Sequence, residues 1–315
     1  MTLTELKYIV AVARERHFGR AADTCHVSQP TLSVAIRKLE DELSVQLFER
    51  GPTEVSVTPI GMQVVEQAQR VLEQIHAIRE VAKQGRDPLA GPLRLGVIHT
   101  IGPYLLPALV RRMIDTLPQM PLMLQENFTV KLLELLRQGD IDVAVLAEPF
   151  APQGLMTQAL YDEPFMVATP RAHPWASRER VGAAELRAET MLLLGTGHCF
   201  RDQVLEVCPE LSRFSQATGG IQKSFEGSSL ETIRHMVASG VGITVLPRTA
   251  VPDARSDELL TYLPFEPPAP HRRVVLAWRK SFSRTAAIAA LRATVLALAL
   301  PGGIERLESA APEAH

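Results

Sequence analysis

The chain has 315 residues, 46% of them hydrophobic and 22% charged, with a formal net charge of −2. That supplies apolar material for more than one core, and no window is long, apolar and uncharged enough to read as a membrane span. Residues 1–58 carry seven Lys or Arg against eight Asp or Glu, so bulk charge gives no support to nucleic-acid binding, and any such role must rest on where the charges sit.

The opening "MTLTELKYIVAVARERHFG" has charges inside its apolar stretch and no small-residue cleavage site. It reads as an amphipathic helix rather than a signal peptide. A cytoplasmic location is therefore expected, where thiols stay reduced and a disulfide would be transient rather than structural. "HFGRAADTCHVSQPTLSVAIRKLEDEL" then reads as two helices joined by a tight turn. Ala21 and Ala22 allow close helix approach. Ser28 can cap the second helix, and Gln29 and Pro30 fall in its first turn, where proline costs little. Leu32, Ile36, Leu39 and Leu43 make one apolar stripe. The remaining face shows Gln29, Thr31, Ser33 and Arg37, side chains able to reach base edges or phosphates from a helix in a major groove. "VQLFERGPTEVSVT" predicts two short strands around a wing tip, with Arg50 facing a phosphate. An ordinary helical hairpin with a polar face would give the same pattern of residues.

A rod follows, capped by Thr58 and started by Pro59. Val64, Ala68, Val71, Ile75, Ile78 and Ala82 alternate spacings of four and three, a heptad seam. It suits a partner helix, although a helix packed on its own domain would also need an apolar stripe. Gly85 ends the rod and "GRDPLAGP" is a linker.

Beyond it, "PLRLGVI", "PLMLQEN", "DIDVAVL", "EPFMVATP", "ETMLLLG", "GITVLP" and "RRVVLAW" read as strands between helical segments, predicting parallel α/β architecture in two lobes. "AAIAALRATVLALAL", interrupted by Arg292, reads as a buried helix. In such sheets ligands bind at the C-terminal strand ends beside helix N-termini. Thr100, Thr129, Ser228 and Ser229 occupy such places, although each could be a plain helix cap.

"GTGHCFRDQVLEVC" holds two of the chain's three cysteines. A strand stops, glycines turn the chain, and Cys199 falls at or near a helix N-terminus, a position that favours a thiolate. The pattern equally fits a buried inert cysteine. Cys208 lies nine positions on. Along a helix that is a rise of about 13–14 Å, whereas a disulfide needs Cα atoms within about 7 Å. A bond between the two would require the helix to unwind, and Pro209 would favour unwinding from that end. Cys25 reads as a small core residue, and His17 and His26 as surface groups.

"FGRAADTCHVSQPTLSVAIRKLEDELSVQLFERGPTEVSVTPIG" closely resembles the winged helix-turn-helix of LysR-type transcriptional regulators. "GHCFRDQVLEVC" and "EGSSLETIRHMVASGVGITVLP" are similar to the peroxide-sensing members of that family. The resemblance implies a winged helix-turn-helix over 1–58, a linker and dimerisation helix over 59–89, and a two-lobed α/β, periplasmic-binding-protein-like regulatory domain over 90–300. Lobe I would hold 90–163 and 267–300 and lobe II 164–266, with a flexible tail over 301–315. It also implies contact of the Ser28, Gln29, Pro30, Thr31, Ser33, Arg37 and Arg50 set with double-stranded DNA, the acidic Glu40, Asp41 and Glu42 facing away. Cys199 would be the residue attacked by hydrogen peroxide and Cys208 its resolving partner. Thr100, Thr129 and His198 would position the oxidant, Gly197, Arg201 and Asp202 would support the loop, and Arg272 or Arg273 would bring a cation. Further implied are a homotetramer, contact with RNA polymerase and a glutaredoxin- or thioredoxin-type reductant, with no cofactor, no metal and no membrane. Thr196 departs from the pattern, which commonly has an acidic residue there. Competing readings are a regulator that senses a small organic effector, a thiol peroxidase, and a thiol–metal sensor built on "HC" and a distant cysteine.

Overall fold

The computed structural model describes all residues except 51–54, 85–87, 209–223, 228 and 253–257, and leaves out the side chains of 50, 76, 77, 79–84 and 224–227. The expectations for the Arg50 side chain, Ala82, Gly85, Pro209 and Ser228 therefore lie outside the described residues. Two compact units make up the chain, one over Met1–Gly85 and Arg137–Gly139 and the other over Arg86–Leu136 and Asp140–His315.

The first unit begins with α1 (Leu3–Glu15), α2 (Phe18–Thr24) and α3 (Gln29–Leu43). His17 caps α2, its Nδ1 accepting from the backbone N–H groups of Gly19 and Arg20 at 3.1 and 3.3 Å. Ser28 caps α3, its Oγ accepting from Thr31 N at 3.3 Å. Leu32, Ile36 and Leu39 are fully buried against Ile9, Val12 and Ala21. Full burial of each such side chain contributes about 1.5–3 kcal/mol. Strands β1 (Phe48–Arg50) and β2 (Val55–Val57) pair antiparallel, Phe48 opposite Val57, as a wing. Helix α4 (Pro59–Gln84) follows, with Thr58 at its start. The Thr58 hydroxyl accepts from Gly61 N at 2.9 Å and donates to Gln46 O at 2.7 Å, which ties the rod to the wing.

The seam on α4 divides in two. Ala68 is buried, and Val64 packs half-buried, in the first unit's own core. Val71 and Ile78 are exposed at 44% and 68%. Only the distal part of the stripe is left for a partner.

The second unit carries a mixed sheet rather than the parallel one expected. Strands β3 (Leu93–Ile98), β4 (Leu122–Asn127) and β5 (Val143–Ala147) run parallel, with β3 in the middle, each pair being connected through α5 (Gly102–Thr116) or α6 (Thr129–Gln138). Strand β6 (Leu155–Pro170) is much longer than the segment predicted from "EPFMVATP". Its first half pairs antiparallel with β11 (His271–Arg279), which in turn pairs antiparallel with β5. Its second half pairs antiparallel with β9 (Thr244–Pro247) on one edge and β10 (Leu260–Pro264) on the other. The switch of partners at Pro164 and Phe165 is where the chain passes from one lobe to the next. A strand that serves two sheets, and a return strand beside it, cannot keep all neighbours parallel.

In the second lobe, β7 (Met191–Leu194) pairs parallel with β8 (Ser224–Gly227). Helices α7 (Cys199–Val207) and α8 (Leu230–Ala238) belong to this lobe. Helix α9 (Thr285–Leu296), which includes Arg292, packs Ile288, Leu291 and Val295 into the core of the first lobe. The two cores are separate, one around Leu95, Val145, Leu276 and Leu291, the other around Phe165, Leu192, Val204 and Val245.

Residues 301–315, expected as a flexible tail, lie on the sheet. Strands β12 (Glu305–Arg306) and β13 (Glu313–Ala314) pair with the first half of β6, on the edge away from β11. Gln158 Nε2 donates to Ala310 O at 2.7 Å, and Leu307 N donates to Leu160 O at 2.9 Å. An open sheet edge offers unpaired backbone groups that demand partners. This segment, poor in apolar residues, supplies them with its backbone, joined by the His315 ring on Thr157 Oγ1 at 2.8 Å and by Ile304 against the core.

Candidate functional site

The site is built at the C-terminal ends of β3, β4 and β7, where the lobes meet. The chain leaves β3 through His99 and Thr100 and enters α5. Thr100 is buried, and it is not a helix cap. Its Oγ1 accepts from Arg272 Nη1 at 2.9 Å and its carbonyl oxygen from Arg272 Nη2 at 3.1 Å. The chain leaves β4 through Phe128 and enters α6 at Thr129. Thr129 is also buried, and its Oγ1 has no hydrogen-bond partner among the described residues. A buried hydroxyl left without a partner costs free energy, so this oxygen is available to a small polar ligand. Ser229, by contrast, is a plain cap, its Oγ accepting from Thr232 N at 3.1 Å.

Strand β7 ends at Leu194 and the glycine turn follows. Gly197 has φ +97°, a left-handed conformation that a side chain would strain. His198 is the N-cap of α7 and is buried, and Cys199 is the first helical residue. The thiol of Cys199 therefore sits at the N-terminus of a helix. Its side chain is half-buried and packs against the core of the first lobe. Cys208, the C-cap, is 3% exposed and belongs to the core of the second lobe. Neither forms a disulfide. Arg201 is half-buried in the first turn of α7. Asp202 is exposed beside it, with no side-chain partner among the described residues.

Arg272 is the buried cation of the site, and Arg273 is not. Successive residues of β11 face opposite sides of the sheet. Arg273 points outward to Asp162, with two contacts of 2.8 Å. Arg272 points inward, where its Nε donates to Glu163 Oε2 at 2.7 Å with both side chains wholly buried. Glu163 Oε1 accepts from Thr249 N at 2.6 Å in the other lobe. The Arg272 guanidinium lies 5.2 Å from the ring centroid of Phe200, the neighbour of Cys199. Phe200 stacks edge-to-face on Phe165 at 5.0 Å. Tyr161 completes this buried group; burial, with the Glu163 carboxylate near it, pushes its phenol well above the usual range.

Further contacts fix the lobes on each other. Tyr104 Oη on α5 donates to Glu231 Oε1 on α8 at 2.9 Å. Gln203 Nε2 on α7 donates to Glu148 O at 2.6 Å, so α7 is held to the first lobe by its middle as well as by Cys199. The rings of His99, Phe128 and His198 meet edge-to-face, with centroids 4.8–5.9 Å apart.

Sequence reading brought Thr100, Thr129, His198 and Cys199 to one place. It did not find Glu163, Gln203, Phe128 or His99. Glu163 had a signal, a carboxylate at the head of the apolar segment "PFMVA".

On the first unit, Gln29, Pro30, Thr31 and Arg37 are exposed on α3 as expected, but Ser33 is half-buried and its Oγ is shielded from solvent without a partner among the described residues. Glu40 is not simply turned away from a ligand. Its Oε1 accepts from the backbone N–H of Leu47 and of Phe48, at 2.7 and 3.1 Å, and so fixes the start of the wing. Cys25 packs half-buried on the core, where burial pushes its thiol up. No group of three or more His, Cys, Asp or Glu suited to a metal ion occurs among the described residues, and no described helix is long and apolar enough to cross a membrane.

Residues 3–62 match the model of the bacterial regulatory helix-turn-helix protein, lysR family, and residues 86–299 match the LysR substrate binding domain. The chain is 44% identical over 279 residues to a hydrogen peroxide-inducible genes activator of Pectobacterium carotovorum, covering 89% of this chain and 90% of that protein. The same identity and coverage hold for the DNA-binding transcriptional dual regulator OxyR of Escherichia coli K12. Among solved structures, full-length OxyR of Pseudomonas aeruginosa, as a cysteine-to-aspartate variant, is 49% identical with a TM-score of 0.72, covering 95% of this chain and 96% of that one. A cysteine-to-serine variant of Corynebacterium glutamicum OxyR with hydrogen peroxide bound is 34% identical, with a TM-score of 0.60 and coverage of 94% and 93%.

Proposed function

Since the chain belongs to the LysR family of bacterial regulators, we propose that it is a DNA-binding transcriptional activator of oxidative-stress genes, switched by hydrogen peroxide through a reversible Cys199–Cys208 disulfide. The observation that carries this reading is the placement of Cys199. It is a free thiol at a helix N-terminus, packed against the first lobe's core. Its neighbour His198 meets the ring of Phe128, the residue before Thr129, and its neighbour Phe200 lies 5.2 Å from the buried Arg272 guanidinium.

In the first step the Cys199 thiolate attacks one peroxide oxygen. An S–O bond forms, the O–O bond breaks, and hydroxide leaves to take a proton and become water. Thr129 Oγ1 and His198 hold the peroxide, and Thr100, itself fixed by Arg272, completes the cradle. Arg272 supplies positive charge for the departing oxygen. Gly197 provides the turn and Arg201 and Asp202 the first helical turn that present the thiol. In the second step the Cys208 sulfur attacks Cys199 sulfenic acid, the S–S bond forms and water leaves. Two electrons pass from the thiols to peroxide. A glutaredoxin- or thioredoxin-type dithiol returns them by exchange.

The second step needs a different fold of residues 199–208, because Cys199 and Cys208 bound opposite ends of α7 and belong to different cores. That refolding frees α7 from Glu148 and alters the lobe contacts, which is how chemistry reaches the DNA-binding units. Dimers form through the distal seam of α4, exposed at Val71 and Ile78. A second interface uses the edge strand β4, where Met123 and Leu124 are exposed together with Ile114 of α5, giving a tetramer. Gln29, Pro30, Thr31 and Arg37 face operator DNA in each copy, with Arg50 at the wing, and RNA polymerase is the downstream contact. The cell compartment is the cytoplasm. Turnover is not the purpose, so the chain is a sensor and not a peroxidase.

In vitro transcription from a peroxide-responsive promoter tests this. Wild type should gain activity on adding peroxide and lose it with a thiol reductant, and Cys199→Ser should not respond. A Cys199→Ser protein that still responds to peroxide would overturn the reading. Sustained peroxide consumption at many turnovers would favour a peroxidase instead.

A further inference from the structure

The rings of Phe128, His99 and His198 form a closed triangle. Phe128 and His198 have centroids 4.8 Å apart at 71°, His99 and Phe128 5.2 Å at 79°, and His99 and His198 5.9 Å at 61°. All three are edge-to-face, the favourable arrangement for aromatic quadrupoles. The triangle spans the lobes. His99 follows β3 and Phe128 follows β4, both in the first lobe, while His198 sits in the turn between β7 and α7 of the second. The Phe128 ring also lies against Gly197, where an added Cβ would meet Phe128 Cδ1 at 3.4 Å. His198 is 7% exposed although it stands in a turn, and Phe128 and the His99 side chain are each 38% exposed. The two first-lobe rings thus form a partly open cover over a buried histidine.

We propose that His99 and Phe128 are positioning residues that latch the Gly197–His198–Cys199 turn onto the first lobe and thereby set the redox balance of the switch. This rests on the disulfide reading above. Peroxide attack on Cys199 leaves the turn in place. Bond formation to Cys208 does not, because α7 must unwind and the turn must leave the lobe before the sulfurs meet. The latch therefore opposes only the second step. It holds the sulfenic acid apart from Cys208 and favours the dithiol over the disulfide at equilibrium. His99 and Phe128 each precede a threonine of the peroxide cradle, so one pair of turns presents hydroxyls inward and rings onto His198.

The test measures two rates and one equilibrium on full-length wild type, His99→Ala, Phe128→Ala and Phe128→Tyr. Sulfenic acid formation is followed in a Cys208→Ser background with a dimedone probe. Condensation is followed as loss of free thiol after a peroxide pulse, and the midpoint potential by equilibration with glutathione buffers. Removing either ring should leave sulfenic acid formation within about twofold of wild type. It should speed condensation, and shift the dithiol–disulfide constant about tenfold towards disulfide, the size expected for losing edge-to-face pairs. For two electrons that is about 30 mV more negative. Phe128→Tyr should restore wild-type values, and His99→Ala, at a half-exposed position, guards against a folding defect in Phe128→Ala. Unshifted potentials in both alanine variants, with a wild-type disulfide present, would overturn the latch alone. So would a slowing of sulfenic acid formation with condensation unchanged. Absence of a Cys199–Cys208 disulfide in wild type would overturn the disulfide reading and the latch with it.

Discussion

Cys199 and Cys208 bound the nine-residue helix α7 and are committed to different cores, Cys199 to that of the first lobe and Cys208 to that of the second. A covalent bond between them is incompatible with the helix as it stands, so any redox change here is also a conformational one. The arrangement needs a rigid frame around a segment that can move. The frame is the buried group centred on Arg272, and the segment is tied down by a small set of contacts that chemistry can break.

Glu163→Gln should test the frame. It leaves the buried Arg272 charge without its carboxylate partner, 2.7 Å away, which costs about 3–5 kcal/mol. For a unit of this size that lowers Tm by roughly 2–4 °C per kcal/mol. Replacing both residues by Met should recover most of the stability, as apolar substitutes for a buried pair often do, but not the peroxide rate. Thermal melts with stopped-flow oxidation check both; a double variant with wild-type oxidation would remove Arg272 from the chemistry.

Glu40→Ala should weaken DNA binding without removing a DNA contact. The Glu40 carboxylate accepts from two backbone N–H groups at the start of the wing, and hydrogen bonds to a charged group contribute about 1.5–3 kcal/mol each. Operator affinity by fluorescence anisotropy should fall several-fold, with an unchanged salt dependence because no phosphate contact is lost. A reduced salt slope would mean that Glu40 acts in another way.

Deletion of residues 301–315 should uncover the edge of β6. The full chain is expected to stay in one oligomeric state on dilution and concentration. The shortened chain should melt lower and gain mass with concentration, as exposed strand edges do. Light scattering distinguishes the outcomes, and identical behaviour would show that β12 and β13 contribute nothing to protecting that edge.

Cys25 should be a slow thiol. Burial raises its pKa, and the nearby Arg14 and Lys7 only partly offset this. Iodoacetamide at pH 8 should modify Cys25 more slowly in the native chain than in urea, because less thiolate is present. The ratio should close as pH rises. Equal rates at pH 8 would contradict the assignment, and Cys25→Ser should leave peroxide sensitivity unchanged.

Much of this organisation is legible in the residues. The Leu32, Ile36 and Leu39 stripe, the Ser28 cap and the Thr58–Pro59 helix start are local patterns, and local patterns dictate local structure. Thr100, Thr129 and Cys199 were placed by strand-to-helix junctions. What was not legible depends on distant partners. The heptad seam of α4 gives no sign that Val64 and Ala68 pack on their own unit. Pro164 made β6 look like a short strand, when in fact it marks the exchange of one set of neighbours for another. Whether Arg272 or Arg273 turns inward depends on which face of β11 meets Thr100, a question of register between strands far apart in the chain. The ring triangle joins three loops, and no spacing in the sequence records it. The tail reads as flexible because its composition is poor in apolar residues, whereas its order comes from backbone pairing with β6 together with the contacts of Ile304 and His315.

The central claim is that Cys199 and Cys208 together form a peroxide-driven switch. The most direct measurement is free-thiol counting by intact mass after one equivalent of hydrogen peroxide, on wild type, Cys199→Ser and Cys208→Ser. The account predicts that wild type alone loses two thiols to a disulfide, with Cys25 still open to alkylation. Wild type retaining all three of its thiols, and each variant retaining both of its own, would contradict it.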